Sequence, residues 1–237
     1  MKTAPRIALV TGATMAKPDP ETHLLDAALA ELGIDAPVIP WDAPEDWAAY
    51  PLVVVRTPWD DFRRLPDFLA WAESASRVTT VVNPVEVIRW NSHKGYLREL
   101  PARGVATVSI GAIGALKADS RDPACLAHLA ALLAEGDVLV QPFIESVAAQ
   151  GEVSLIYFGG AFSHAIRKRP AAGDYRVQDM YGGTNHAYRP AADEVKLASR
   201  ALTATPAPTT YARVDLVRLP DGEPRCVHVL RQTTESG

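Results

Sequence analysis

Two short runs of aliphatic residues, Arg6–Gly12 (RIALVTG) and Leu52–Arg56 (LVVVR), lack the apolar–polar alternation of a half-exposed strand. The first is closed by Gly12, the second is held between Pro51 and Pro58, and such runs belong to strands buried on both faces. Around them the period changes. Glu21–Gly33 brings Leu24, Leu25, Ala28, Leu29 and Leu32 to helical spacing with Gly33 as its stop, and Pro66–Ala75 carries Phe68, Leu69 and Trp71 on a second helix. Thr79–Val82 is a third strand, ending at Asn83-Pro84. Strand, helix, strand, helix, strand in succession predicts a parallel sheet covered by helices.

After Pro84 the pattern differs. Asn91–Arg103 reads as a helix with Tyr96, Leu97 and Leu100 on one side and Gly104 at its end. Asp122–Glu135 reads as another, with Leu126, Leu129, Ala130 and Leu133 facing inward. From Asp137 onward strands dominate. Val138–Phe143 is one. Glu152–Phe158 and Phe162–Arg169 are joined through Gly159-Gly160, a pair suited to a primed hairpin turn. Tyr211–Leu219 and Arg225–Arg231 meet around Asp221-Gly222, a second signal of that kind, and Ala192–Thr205 supplies a helix. This half is expected to be α+β with antiparallel pairs.

Composition narrows the function. Lys and Arg number 24 against 28 Asp and Glu, a net charge of -4, which disfavours a non-specific grip on nucleic acid or anionic lipid. No run of eighteen apolar residues is present to span a bilayer, and Met1–Val10 has no signal-peptide layout, so a cytoplasmic protein is expected. Two cysteines, Cys125 and Cys226, are too few for a disulfide framework or a cysteine-built zinc site. No Walker lysine loop and no Gly-x-Ser-x-Gly elbow occur, and Gly111–Gly114 lacks the dinucleotide spacing. His93, His164 and His186 lie near polar motifs without a partner at ligand spacing.

Charged residues placed in core-like segments carry more. Lys94 opens a helix, where a cation opposes the dipole unless an anion binds at the same end; the plain alternative is a solvated lysine. Arg167, Lys168 and Arg169 end a strand ahead of a glycine-containing loop with Arg176, an electropositive mouth suited to phosphates or simply a solvated hairpin end. Asp215 sits inside Tyr-Ala-Arg-Val-Asp-Leu-Val, where a carboxylate must be paired, hydrogen-bonded or on a metal. Arg213, two residues away on the same face, is its ordinary partner. Gln141 interrupts Val-Leu-Val-Gln-Pro-Phe, where an amide and exposed backbone could read a base edge.

Taken in order, these segments resemble the ATP-grasp superfamily, nearest the branch of the D-cycloserine-forming ligases, with glutathione synthetases and ribosomal-protein glutamate ligases as cousins. The resemblance rests on Arg56-Thr-Pro-Trp59-Asp60, Asn83-Pro84, Trp90-Asn91-Ser-His-Lys94-Gly-Tyr96-Leu, Leu139-Val-Gln141-Pro-Phe and Gly151-Glu152-Val-Ser-Leu. It continues through Gly159-Gly160, Ser163-His164, Lys168, Gly173-Asp174-Tyr175-Arg176-Val-Gln178, Tyr181-Gly-Gly183 and Tyr211-Ala-Arg213-Val-Asp215. It implies an α/β N-terminal (pre-ATP-grasp) domain over 1–88, a central lid subdomain over 89–136 and a C-terminal subdomain over 137–237, the last two forming an α+β ATP-grasp fold with antiparallel sheets. It implies ATP and Mg²⁺ as cofactors, a small amino-acid-like substrate, and a phosphorylated carboxylate that an amine displaces. Lys94 would be an ATP lysine, Gln141, Pro142 and Phe143 the adenine hinge, and Glu152 an acidic residue near the ribose or substrate loop. Lys168 and Arg176 would face the transferred phosphoryl group and the substrate carboxylate, Asp215 would hold Mg²⁺, and Arg56, Trp59 and Gly183 would line the substrate side. Dimers are common in the family, so a homodimer stays open. A catalytically silent nucleotide-binding relative is the alternative, and a dehydrogenase-like α/β protein is disfavoured because no glycine fingerprint follows Val10.

Two departures stand out. After Gly104-Val-Ala-Thr107 the family pattern runs through a strand and helix to a strand with a second ATP lysine; here the chain passes straight to Val108–Gly114, and Lys117 is a poor substitute. After Asp215 the pattern needs a final strand with a second metal carboxylate; Val227–Leu230 begins one but runs into Arg231–Gly237, with Glu235 outside the expected place. Either the sequence as written joins segments across stretches it omits, or the chain is truly shortened, and the intact flanking motifs favour the first. As it stands, a chain without that lysine and that carboxylate is expected to show little or no ligase activity.

Overall fold

The computed structural model describes residues 5–13, 22–58, 60–108, 122–135, 138, 144–174, 176, 177 and 181–229. Two sheets organise them. The first is four-stranded and parallel, in the order β2-β1-β3-β4, from β1 (Ile7–Thr11), β2 (Val38–Pro40), β3 (Leu52–Thr57) and β4 (Thr80–Val82). The two aliphatic runs are its neighbouring central strands, with Ala8, Leu9, Val10, Val53 and Val55 buried. The short strand β2 carries no strong sequence signal, since Pro37 and Pro40 bracket it.

Helix α1 (Thr22–Glu31) forms as expected and is followed by Gly33 at φ +69°. None of its residues is buried, and Leu32 is 72% exposed. Helical spacing of leucines shows which face could be covered; Leu25 and Leu29 are half-buried, while Leu24 is 62% exposed. Helix α2 (Leu65–Ser76) does bury its stripe: Phe68, Ala72 and Ala75 meet Trp41, Tyr50 and the central strands in one core.

The single helix expected over Asn91–Arg103 is instead α3 (Val85–Asn91) followed by two 3₁₀ turns, Lys94–Arg98 and Pro101–Arg103. Pro101 lacks the N–H that a continuous helix needs, and His93 breaks the register by capping Gly95 N–H with its own ring nitrogen. Tyr96, Leu97 and Leu100 are buried as expected, and Gly104 closes the segment at φ +75°. Helix α3 belongs to both cores, with Val87 in one and Ile88 in the other.

Helix α4 (Pro123–Glu135) forms, but Leu126 and Leu133 are exposed rather than inward, the latter 57%. The expected strand Val138–Phe143 lies outside the described residues apart from Val138. A short helix, α5 (Ser146–Gln150), then leads into the second sheet.

That sheet is five-stranded and antiparallel, in the order β7-β6-β5-β8-β9, from β5 (Glu152–Phe158), β6 (Ala161–Arg169), β7 (Thr184–Tyr188), β8 (Tyr211–Arg218) and β9 (Pro224–Val229). Gly159 and Gly160, at φ +56° and +79°, make the two-residue primed turn between β5 and β6. Asp221-Gly222 lies in a longer loop from β8 to β9, closed by Leu219 N–H to the Glu223 carbonyl. Helix α6 (Ala192–Thr203) packs Leu197, Ala198 and Ala201 on one face of this sheet, against Val153, Leu155, Val214 and Leu216.

Candidate functional site

Period two sets the character of the other face. In β8, Ala212, Val214 and Leu216 point to α6, so Arg213 and Asp215 point away; in β5, Val153 and Leu155 point to α6, so Glu152 and Ser154 point away. Cross-strand register then brings polar residues together. Ser154 lies opposite Asp215, Asp215 opposite His228 of β9, and Glu152 opposite Lys168 of β6. Ser154, Lys168, Arg213, Asp215 and His228 are all buried, so this face is polar yet closed from water.

Asp215 is the centre of the network. One carboxylate oxygen accepts from Ser154 Oγ at 2.6 Å and from Arg213 Nε at 2.8 Å; the other accepts from the Arg213 guanidinium at 2.8 and 3.2 Å. Burial pushes the Asp215 pKa up, and the charges of Arg213 and then Lys168 outweigh it and hold the carboxyl far below its usual range. The sequence allowed Arg213 as the ordinary partner, and that pairing is present. Lys168 Nζ stands 3.5 Å from Glu152, both side chains mostly enclosed.

Two further groups approach this face from outside the sheet. Lys94 Nζ lies 2.9 Å from His228 Nδ1, and the Tyr96 hydroxyl lies 2.7 Å from the same nitrogen. From the parallel sheet, Arg56 is close enough to act electrostatically on Tyr211. Burial raises the Tyr211 pKa, and the charges of Arg213, Arg56 and Lys168 pull against that rise while Asp215 adds to it. Lys94, Arg56, Lys168 and Asp215, distant in the chain, thus converge on one region.

Arg176 lies in the loop between β6 and β7. It is held in its own loop by Asp174 at 2.7 Å and lies over the Tyr181 ring at 3.7 Å. Gly183 immediately precedes β7, while Trp59, Gln141, Pro142 and Phe143 lie outside the described residues. Sequence reasoning missed Ser154 and His228 as parts of the network. Their signal was alternation: Val-Ser-Leu and Val-His-Val each put one polar residue on the face opposite the core.

Mg²⁺ asks for about six oxygens in octahedral array. Among the described residues no three His, Cys, Asp or Glu converge, Asp215 is engaged by Arg213 and Ser154, and its neighbour across the ladder is an imidazole. This donor set does not fit Mg²⁺ as it stands.

A parallel α/β unit joined to an antiparallel sheet with a buried cationic face is the architecture of the ATP-grasp ligases, enzymes that use ATP to join a carboxylate to an amine. An ATP-grasp ligase, PsnB, crystallised with a phosphomimetic variant of its minimal precursor, Mg and ADP, shares the fold at a TM-score of 0.62 and 14% identity, over 99% of this chain and 93% of that one. The family model for the N-terminal domain of D-cycloserine synthetase DcsG matches residues 7–83. The cycloserine biosynthesis protein DcsG of Streptomyces lavendulae is 32% identical over 269 residues, 92% of this chain and 88% of that protein. The crystal structure of D-cycloserine synthetase DcsG superposes at a TM-score of 0.79 with 30% identity, over 97% of this chain and 92% of that one. The chain belongs to the DcsG family of ATP-grasp ligases. The 269 aligned positions exceed the 237 residues of this chain, so the relative has internal segments with no counterpart here.

Proposed function

We propose that this ligase activates the carboxylate of a small amino-acid-like substrate as an acylphosphate, in the cytoplasm, with Lys94 and Lys168 on the triphosphate and Arg56 on the substrate side. The carboxylate oxygen attacks the γ-phosphorus and ADP leaves; an amine nitrogen then attacks the acyl carbon, phosphate leaves, and the nitrogen gives up a proton. Joining a carboxylate to a polyanion requires neutralising charge more than a protein nucleophile. The observation that carries this reading is the convergence of Lys94, Lys168 and Arg56 on the face that bears Asp215. Glu152, paired with Lys168, is assigned to orienting that lysine. Arg176, over Tyr181, is assigned to the substrate carboxylate. Among the described residues a donor set for Mg²⁺ is not assembled.

A second reading, a relative that binds nucleotide without turnover, is favoured by the missing internal segments and by the Arg213 clasp on Asp215. One experiment separates the two. ADP release is followed with a panel of amino-acid-like substrates, including O-ureido-D-serine, beside calorimetric binding of ATP. Substrate-dependent ADP release supports the ligase; ATP binding with no release for any member supports the silent relative; absence of ATP binding overturns both.

A further inference from the structure

Directly across the ladder from Asp215, strand β9 presents His228. Its ring is enclosed, 7% exposed. Lys94 Nζ can only donate, so at 2.9 Å it makes His228 Nδ1 an acceptor. In the tautomer that accepts there, the ring's hydrogen sits on Nε2. The Tyr96 hydroxyl lies 2.7 Å from the same nitrogen, and its oxygen accepts from Val229 N–H at 3.1 Å. The phenol thereby clamps β9 beside the imidazole and sets the ring's height against the Lys94 turn. Trp90, its ring centroid 4.4 Å from that of Tyr96, backs the clamp.

We infer that His228 is a positioning residue for nucleotide binding: its Nδ1 holds the Lys94 ammonium beside the Asp215 face, ready for the phosphates. A lysine on a four-carbon stem loses rotamer freedom when it engages a phosphate, and a preformed contact removes part of that cost. His228 reaches the nucleotide only through Lys94.

This inference rests on the proposed use of ATP, and the test separates the two. ATP affinity is measured by calorimetry for the wild type, His228→Ala, His228→Asn, Lys94→Ala and the Lys94→Ala/His228→Ala double variant, with thermal melts alongside. The expected outcome is a loss of about tenfold for His228→Ala, and recovery to within about threefold for His228→Asn, whose amide oxygen can accept where Nδ1 does. The double variant is expected to bind no more weakly than Lys94→Ala alone, because a residue acting through a lysine has nothing to hold once that lysine is gone. Unchanged affinity in His228→Ala, or additive losses in the double variant, overturns the inference and leaves the ATP reading standing. If His228→Ala fails to fold, His228→Asn with Lys94→Ala decides: His228→Asn as weak as Lys94→Ala overturns it, and near-wild-type binding upholds it. A wild type that binds no ATP overturns both.

Discussion

Asp215 is a buried anion whose stability is borrowed from Arg213. With side chains 3% and 6% exposed, neither charge can return to water without moving β8. Removing one partner leaves the other uncompensated, which costs about 3–5 kcal/mol, whereas replacing both with apolar groups of similar volume is often close to neutral. Arg213→Met is therefore expected to lower the free energy of unfolding in urea by that order, and Arg213→Met/Asp215→Leu to regain much of the loss. Acid gives a second readout. The folded carboxyl lies below its unfolded range, so its contribution is fully present above about pH 4 and is lost as pH falls through the folded value. The stability gap between wild type and Asp215→Asn is expected to narrow as pH is lowered from 5 to 2. Equal stability of Arg213→Met and wild type at pH 7 would remove the ion pair from this account. The pairing was legible in the sequence, because Arg213 and Asp215 sit two apart on a strand. His228 was not, because its partner Lys94 lies 134 residues away and only the fold brings them together.

At the scale of elements, the approach of α5 to β5 depends on one backbone position. Gly151 closes α5 at φ +77° and ψ -170°, a region essentially reserved for glycine, and a Cβ there would collide with the Lys168 carbonyl oxygen of the paired strand. Gly151→Ala is expected to cost about 2–3 kcal/mol, read as a fall in Tm of several degrees. Gly159→Ala provides the contrast. Its φ is +56°, but its added Cβ would meet nothing within 4 Å, so only the left-handed penalty of about 1–2 kcal/mol applies. Equal melts for the two variants would show that the Lys168 backbone yields freely. Strand β5 was readable to its last residue because Gly151 and Gly159 punctuate it. The inward face of α4 was misread for a different reason: its leucine periodicity was right, and burial depends on a covering partner that periodicity cannot report. The helix expected from Asn91 failed at Pro101 and at the His93 cap, local features that outweigh the apolar spacing of Tyr96, Leu97 and Leu100.

The whole molecule is two sheets that must hold a fixed relation if Arg56 of one is to face Asp215 of the other. Asn83, at the end of the parallel sheet and 1% exposed, ties them. Its amide donates to the Tyr211 carbonyl at 2.9 Å, and its oxygen accepts from the Thr210 and Tyr211 N–H groups at 2.8 and 3.2 Å. All three bonds land on the entry to β8, two residues before Arg213 and four before Asp215. Asn91 makes a lesser tie, one 2.6 Å bond to the Val229 carbonyl from a half-buried position. Asn83→Ala strands two donors and an acceptor in a closed junction, at about 1–3 kcal/mol for the group as a whole, against about 0.5–1.5 kcal/mol for Asn91→Ala. Urea unfolding is expected to rank the variants in that order. If Asn83 also sets the relation between the sheets, Asn83→Ala should raise the substrate KM more than the ATP KM, because Arg56 lies on the parallel sheet while Lys168 and Asp215 lie on the other. Lys94 follows the ladder through His228 and should hold its place with ATP. Equal rises in both KM values would mean that the junction carries stability alone and that the sheets are aligned elsewhere, with α3, shared between the two cores, the next element to test.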